Sequence, residues 1–369
     1  KPDIDLMFCA GVNHMFFHGT CYSPKEDTWP GWKFYASIDM SPTNNIWRDA
    51  PYFMQYVERC QSFLQWGEPD NDFLVYLPVR DMWQKQTDKL LMQFSIHQMG
   101  KLAPEFIQSI LDIDRAGFDC DYISDRLLLT TTYKDGMLET AAGTRYKGLV
   151  IPECRMMPEN VRQHIARLKA QGAPVIDGTR AADLQTAAQP EAIRTVCGLK
   201  TIRRRNDTGY HYFIANLTPN DIQTVEPLAV DFKDAVWFNP LNGDITPVSF
   251  GTDGIAIHLR SGESMILQTY NEPLAQDNSR RKTEDKACHI ETKTLPGPWT
   301  LSFTEEAPKV NKTFTLAKPQ TWETLDDDSA KVTMGTGVYT THLRLSKNEA
   351  KAHWISRSEE RRVGKECRS

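Results

Sequence analysis

Aromatic and amide side chains are concentrated between residues 22 and 48. The aromatic members are Tyr22, Trp29, Trp32, Tyr35 and Trp47, and they are interspersed with Asn44, Asn45 and Arg48. Aromatic faces pack against the apolar face of a pyranose, while amide and guanidinium groups bind its hydroxyls, so this mixture is typical of a carbohydrate site. The alternative is a loop that packs its own aromatic rings without a ligand.

His18 stands just before this loop, in a run of residues that starts at Gly11. The segment from Gly11 to Pro24 predicts a buried strand that ends abruptly at polar and aromatic groups, as barrel strands do at the edge that carries function. Gly19 lets the backbone approach a ligand closely. His18 is therefore a candidate substrate contact, and the alternatives are a general base or a core histidine satisfied by backbone groups.

The acidic residues near this segment do not form a recognisable catalytic pair. Hydrolysis of a glycoside needs two carboxylates that face the bond being cleaved. Glu26, Asp27 and Asp39 are the nearest acids, and none of them ends a predicted strand, so each is most simply a solvated loop charge. A complete (β/α)8 barrel needs roughly 250 residues. We therefore expect most of such a barrel before Lys1 and assign no catalytic residue to the acids near this segment.

Other chemistries find little support. Cys154 follows a predicted strand, where some amidotransferases keep a nucleophile, but Pro152-Glu-Cys-Arg-Met156 lacks the sharp Gly-x-Cys-x-Gly turn. No Gly-x-Gly-x-x-Gly follows the strand predicted from Phe73, which removes the case for a dinucleotide site. The eight cysteines show no CxxC pairs or zinc spacing, and we interpret them as buried packing residues.

The elements that must position these residues fall into four zones, separated by polar or Gly/Pro-rich junctions. The first ends in a helix from Ala50 to Trp66, closed by Gly67. The second alternates strands and helices and predicts an open parallel sheet; the third, with turn pairs at Gly243 and Gly254, predicts a small antiparallel β-sandwich. A second all-β zone follows. The bounds are residues 1–68, 69–192, 193–272 and 273–356, and residues 357–369 are interpreted as a non-native tail.

The composition also limits which partners and locations are expected. The net charge of -5 and the absence of a basic stripe with aromatics disfavour nucleic acid as a partner. The one basic cluster, Ile202-Arg-Arg-Arg205, is interpreted as a solvated sheet edge. The longest apolar runs are of strand length, so no membrane span is predicted. Since the chain opens without methionine, its beginning says nothing about export, and a periplasmic or secreted location is an expectation only.

Several motifs of the first zone resemble family 106 glycoside hydrolases, the α-L-rhamnosidases. They are Gly11-Val-Asn-His-Met-Phe-Phe-His-Gly-Thr-Cys-Tyr-Ser-Pro24, Pro30-Gly-Trp32, Thr43-Asn44 with Trp47, and Tyr56-Val-Glu-Arg-Cys-Gln61 followed by Leu64-Gln-Trp-Gly67. Further along, Asp121-Tyr-Ile123 and Arg145-Tyr-Lys-Gly-Leu-Val-Ile-Pro152 resemble the glutaminase-like α/β domain of large glycosidases. Gly297-Pro-Trp-Thr-Leu301 is similar to their galactose-binding-like jelly rolls.

The resemblance implies an inverting enzyme that removes terminal α-L-rhamnose from plant or microbial glycans and depends on calcium, whose ligands the sequence does not reveal. It implies a fold that joins the end of a (β/α)8 catalytic barrel to a glutaminase-like domain, a β-sandwich and an incomplete jelly roll. The substrate would be a rhamnose-containing oligosaccharide or polysaccharide, and the resemblance implies that the catalytic acid and base lie on barrel strands upstream of Lys1, with none in this chain. The residues that carry over as substrate contacts are His18, Tyr22, Trp32, Asn44 and Trp47.

Cys21 and the extra residues around Ser37 to Thr43 depart from the family pattern, so the identity of the subsite that they shape is left open. Two alternatives stay beside this interpretation. One is another barrel glycosidase with the same appended domains, such as a β-galactosidase, because only the first zone discriminates. The other is a carbohydrate-binding fragment without activity, since the chain as given is expected to be inactive alone.

Overall fold

A computed structural model describes residues 1–28, 30–37, 40–42, 44–84, 98–274 and 294–347, apart from the side chains of residues 45 and 305–307. Trp29, Asp39, Thr43, the side chain of Asn45 and the predicted tail at 357–369 lie outside the described residues. The chain divides into two compact units. One comprises residues 1–15 and 52–284, and the other comprises residues 16–51 and 285–369.

Two helices open the first unit, α1 (Pro2–Cys9) and α2 (Ala50–Leu64), and the second of them confirms the helix predicted before Gly67. Helix α1 sets the Phe8 ring edge-on against the ring of Phe213, with the centroids 5.4 Å apart. Helix α2 buries one face at helical spacing, including Tyr56 and Cys60. Gly67 has a φ of +66°, and a Cβ there would lie 2.1 Å from the Arg205 carbonyl oxygen, so only glycine fits this helix end.

An α/β zone follows. Its elements are β1 (Glu68–Pro69), β2 (Phe73–Tyr76), α3 (Val79–Gln84), α4 (Met99–Leu102), α5 (Pro104–Arg115), β3 (Cys120–Ile123), α6 (Asp125–Leu128), β4 (Thr132–Lys134), β5 (Met137–Glu139), β6 (Arg145–Tyr146), β7 (Gly148–Ile151), α7 (Glu159–Ala170), β8 (Val175–Asp177), α8 (Ala181–Leu184) and α9 (Ala192–Thr195).

The parallel sheet predicted for this zone is confirmed, with the strand order β3-β2-β7-β8. Alternate residues of β2 serve opposite faces because side chains of a strand alternate. Phe73 and Val75 pack with Phe106 of α5, whereas Leu74 and Tyr76 pack with Val161 of α7. The sheet is thus buried by helices on both sides, as expected of a parallel sheet.

The next zone contains antiparallel strands only. They are β9 (Lys200–Arg205), β10 (Tyr210–Ala215), β11 (Ile222–Glu226), β12 (Asp234–Phe238), β13 (Ile245–Pro247), β14 (Phe250–Gly251), β15 (Gly254–Leu259) and β16 (Ser264–Tyr270). One sheet has the order β1-β9-β10-β16-β12-β13 and a second has the order β11-β15-β14. Both contribute to one apolar cluster, in which Tyr212 and Leu267 meet Ile255 and Ile257. The strands predicted from the alternating pattern are confirmed.

The interpretation of Ile202-Arg-Arg-Arg205 as a solvated edge is wrong. Strand β9 lies between β1 and β10, so it is not an edge strand. Arg203 is only 3% exposed, and its guanidinium pairs with Asp70, Asp72 and Glu191. A charge can be buried in this way when carboxylates surround it.

The strand predicted from Gly11 to Pro24 is also wrong. These residues form no helix or strand, and none of them is buried. A strand needs a hydrogen-bonding neighbour, and residues 11–24 make no strand pairing. The helix α1 before the segment ends at Cys9.

The second unit contains β17 (Trp299–Ala307), β18 (Phe314–Leu316), α10 (Asp328–Val332), β19 (Met334–Thr340) and short 3-10 helices at Asn45–Arg48 and Trp322–Thr324. Its strands form an antiparallel sheet in the order β18-β17-β19. Leu301 and Leu316 are buried there with Ala330 of α10. The Arg48 guanidinium donates a 2.9 Å hydrogen bond to Thr336 Oγ1, which ties the two segments of this unit together. Within the described residues, no helix has the length and apolarity that crossing a membrane requires.

Candidate functional site

The predicted sugar-contact residues all lie in the second unit, on a segment held by its own hydrogen bonds. Residues 19–23 and 32–37 run beside each other. The backbone N–H of Trp32 donates to Ser23 Oγ at 2.9 Å, and Ser37 Oγ donates to the Gly19 carbonyl at 2.7 Å. We call residues 32–37 the aromatic loop. It is fixed at both ends on the residues that follow His18.

His18 is exposed, so a core histidine, one of the alternatives considered for it, is excluded. Its ring meets the ring of Phe34 edge to face, with centroids 5.6 Å apart and an interplanar angle of 86°. This geometry is favourable for an aromatic pair. The imidazole is therefore oriented by the aromatic loop while it stays accessible to a ligand.

Tyr22 and Trp32 present large exposed surfaces, with 83% and 63% of each residue accessible. The hydrogen bond between Ser23 and Trp32 brings these two residues into the same pair of segments as His18. Exposed aromatic rings grouped in this way mark an interaction site more often than scattered ones do.

Asn44 and Trp47 lie on the turn that follows. The Asn44 Oδ1 accepts a 3.1 Å hydrogen bond from the Ile46 N–H, so Asn44 caps the 3-10 helix at Asn45–Arg48. Trp47 is exposed, on that helix. The structure thus gathers His18, Tyr22 and Trp32 on the paired segments and places Asn44 and Trp47 on the adjoining turn. Their role as substrate contacts stays a prediction.

Phe34 was missed by the sequence reasoning. It is the residue that joins His18 to Tyr35, since its ring also packs against Tyr35 with centroids 5.1 Å apart. The signal available was the adjacency of two aromatic residues within a loop already rich in tryptophan. That adjacency alone does not say which ring contacts a neighbour.

Cys154 offers no support for a nucleophile. Burial, assisted by the nearby Asp81 carboxylate, raises the pKa of this thiol above its ordinary value. A nucleophilic cysteine needs the opposite shift. The Asp81 carboxylate itself accepts hydrogen bonds from the backbone N–H groups of Arg155 and Met156, at 2.7 and 2.6 Å. The end of β7 is therefore tied to α3 by a structural contact.

The ligands of the calcium implied by the resemblance are not identified among the described residues. No group of three or more histidine, cysteine, aspartate or glutamate side chains in the described part of the chain has the geometry to hold a metal ion. Calcium is held by six to eight oxygen ligands. The carboxylates that do gather, Asp70, Asp72 and Glu191, are engaged by the guanidinium of Arg203.

Comparison with known proteins identifies a family for this chain. Residues 1–197 match the family model of glycoside hydrolase family 106, alpha-L-rhamnosidase. Over 173 residues the chain is 27% identical to a Formosa agariphila protein named "Putative beta-glucuronidase", and the match covers 47% of this chain and 13% of that protein.

A solved structure, that of a rhamnosidase from Novosphingobium sp. PP1Y, shares the fold. The match covers 94% of this chain and 36% of the solved chain, with a TM-score of 0.62 and 17% identity. The chain therefore spans a minor part of the length of both proteins. Because the family model extends over more than half of its residues, this chain belongs to glycoside hydrolase family 106, the alpha-L-rhamnosidases.

Proposed function

We propose that this chain is part of an enzyme that hydrolyses terminal α-L-rhamnose from plant or microbial glycans with inversion. The observation that carries the proposal is the family match over residues 1–197, which includes the whole exposed aromatic segment. The exposed His18, Tyr22 and Trp32 support it, since a sugar site needs accessible rings beside a hydrogen-bonding group.

In the proposed reaction, a carboxylic acid protonates the leaving oxygen while a carboxylate activates water on the opposite face of the sugar ring. We assign neither group to this chain, and the chain alone is proposed to be inactive. Its contribution is to bind and orient the sugar. The rings of Tyr22, Trp32 and Trp47 would pack on the pyranose, and His18 would exchange a hydrogen bond with a hydroxyl.

The finer architecture belongs to the same proposal. Residues 1–68 would complete a (β/α)8 barrel, residues 69–192 would be a glutaminase-like domain, residues 193–272 a β-sandwich and residues 273–356 a galactose-binding-like jelly roll. The calcium implied by the resemblance belongs to the same proposal without assigned ligands, and no step above passes through it. A periplasmic or secreted location completes the proposal.

The test is hydrolysis by the protein at its natural length. An aryl α-L-rhamnoside, an aryl β-D-galactoside and an aryl β-D-glucuronide are offered in parallel; the last is included because of the name of the Formosa relative. We expect cleavage of the rhamnoside with inversion, and NMR of the released sugar measures its anomeric configuration. Cleavage of either of the other substrates, without the rhamnoside, would assign the rival activity.

The site itself is tested by His18→Ala, which we expect to lower kcat/KM for the rhamnoside by about tenfold, the value of one good hydrogen bond. His258→Ala is the matched control, because His258 is an exposed histidine of strand β15 in the first unit. Equal activity of the two variants would remove His18 from the site. Asn44 is a poor choice for this test, since its substitution also uncaps a helix.

A further inference from the structure

Tyr35 stands out among the exposed side chains of the second unit. It is 96% exposed, although it belongs to a loop fixed by hydrogen bonds at both ends. An apolar ring in water gains nothing for folding. Nearly all of the Tyr35 side chain is therefore accessible to a ligand.

The ring of Tyr35 nevertheless contacts a neighbouring ring. It packs on Phe34 with centroids 5.1 Å apart and an interplanar angle of 62°, and the Phe34 ring packs in turn on His18. Three rings thus follow one another, from His18 through Phe34 to Tyr35. A ring that is positioned before a ligand arrives loses little freedom on binding, which favours affinity.

The three rings differ in their hydrogen-bonding groups and in their apolar surface. His18 has two nitrogen atoms for hydroxyl groups, Phe34 is apolar and partly covered, and Tyr35 combines an apolar face with a hydroxyl. Such a series suits a chain of sugar rings, since each pyranose offers an apolar face and polar edges. Tyr35 contacts Phe34, and Phe34 in turn contacts His18.

We propose that Phe34 and Tyr35 form a second sugar subsite, which binds the residue to which the terminal rhamnose is attached. This inference rests on the proposed function, because it places the rhamnose itself at His18. It assigns a substrate class, in which the enzyme acts on rhamnose-capped oligosaccharides in preference to small rhamnosides. Tyr35 is then a specificity-determining residue that contacts substrate.

The test compares two substrates of the natural-length enzyme. α-L-Rhamnosyl fluoride fills only the rhamnose position, because fluoride is a leaving group without a ring. A rhamnose-capped oligosaccharide also fills the second subsite. We expect Tyr35→Ala to raise KM for the oligosaccharide about tenfold and to change kcat/KM for the fluoride less than twofold. Tyr35→Phe keeps the ring and should retain most of the preference.

Tyr52→Ala is the matched control, since Tyr52 is 73% exposed and lies on α2 in the first unit. It should leave both substrates unaffected. Equal losses on both substrates with Tyr35→Ala would overturn the second subsite, as would unchanged kinetics. A large drop in the melting temperature of Tyr35→Ala would also overturn it, because the ring would then be covered by protein.

The two proposals fail in different ways. If the wild-type enzyme cleaves neither rhamnoside, the proposed function is wrong and the subsite falls with it. If it cleaves both, but Tyr35→Ala does not discriminate between them, the proposed function stands and the subsite alone is wrong.

Discussion

At the scale of single residues, Arg203 is the counter-charge of three carboxylates. Its guanidinium pairs with Asp70, Asp72 and Glu191, and both Arg203 and Glu191 are 3% exposed. We predict that Arg203→Met lowers the free energy of unfolding by about 3–5 kcal/mol, because it leaves buried carboxylates without a counter-charge. Urea denaturation followed by circular dichroism measures this.

Arg205→Met is the control for this prediction, since Arg205 lies on the same strand and pairs with Glu68 in solvent. An exposed pair contributes below about 1 kcal/mol. Similar losses for the two variants would show that the burial of Arg203 does not matter. The sequence could not separate the two arginines, because a run of three arginines has no pattern that says which one is enclosed by carboxylates distant along the chain.

His211 carries a second prediction at this scale. Burial lowers the pKa of His211 from its ordinary 6.5 to about 4. The ring stacks on Trp66 with centroids 5.3 Å apart, and its Nε2 lies 2.7 Å from the Phe63 carbonyl oxygen. Between these two pKa values the unfolded chain binds a proton that the folded chain does not, so stability falls as the pH decreases from about 6.5 to 4.

The loss is on the order of 3 kcal/mol over that window, from the shift of the His211 pKa. We predict that His211→Gln, which has no proton to gain there, shows a correspondingly smaller pH dependence of its unfolding free energy. The imidazole titration in an NMR experiment gives the direct check. A titration midpoint near 6.5 in the folded protein would contradict the prediction.

At the scale of elements, Gly254 shows how a turn limits substitution. It has a φ of +128° at the start of β15, and a Cβ there would lie 2.2 Å from the backbone of Glu226. We predict that Gly254→Ala is strongly destabilising, well beyond the roughly 1 kcal/mol of a left-handed alanine, because neither backbone can yield without breaking the pairing of β11 with β15. Thermal melting measures the difference.

Gly243→Ala is the comparison, since Gly243 also has a positive φ, +86°, but a Cβ there would contact only the Arg59 side chain at 3.6 Å. It should cost about 1–2 kcal/mol. If the two variants melt at the same temperature, the steric argument for Gly254 is wrong. Both glycines were predicted as turn residues from the sequence, but the difference between them depends on a strand far along the chain.

The elements themselves were largely predictable where the pattern was local. Helices α2, α5 and α7 follow apolar residues at helical spacing, and β2 and β7 follow short buried runs. The segment from Gly11 to Pro24 was not, because its apolar residues suit a strand only when a neighbouring strand pairs with them. The sequence predicted a candidate site in the loop after His18, which stays a prediction, and it did not reveal the contact of Phe34 with His18.

At the scale of the whole molecule, ion pairs of Arg194, Lys200 and Arg203 join the parallel sheet and the antiparallel strands of the first unit. Arg194 of α9, whose neighbour Ile193 packs in the apolar cluster of the antiparallel strands, pairs with Asp114 of α5 and with Asp119 just before β3. Arg203 of β9 pairs with carboxylates before β2. The four predicted domain bounds follow composition along the chain and stay predictions. They could not reveal these links, which connect residues 75 to 133 positions apart.

We predict that the described part of the first unit unfolds as one cooperative transition, and that the double variant Arg194→Met/Arg203→Met separates it into two, one for the α/β zone and one for the antiparallel strands. Without the arginines, the carboxylates Asp72, Asp114 and Asp119 of the α/β zone lose the counter-charges of Arg194 and Arg203, and each zone retains its own apolar cluster. Calorimetry, with the ratio of calorimetric to van't Hoff enthalpy, counts the transitions.

The double variant Arg205→Met/Lys233→Met is the control. It removes two exposed ion pairs and should keep a single transition. One lowered but undivided transition in Arg194→Met/Arg203→Met would mean that apolar contact, and not the arginine pairs, couples the two zones.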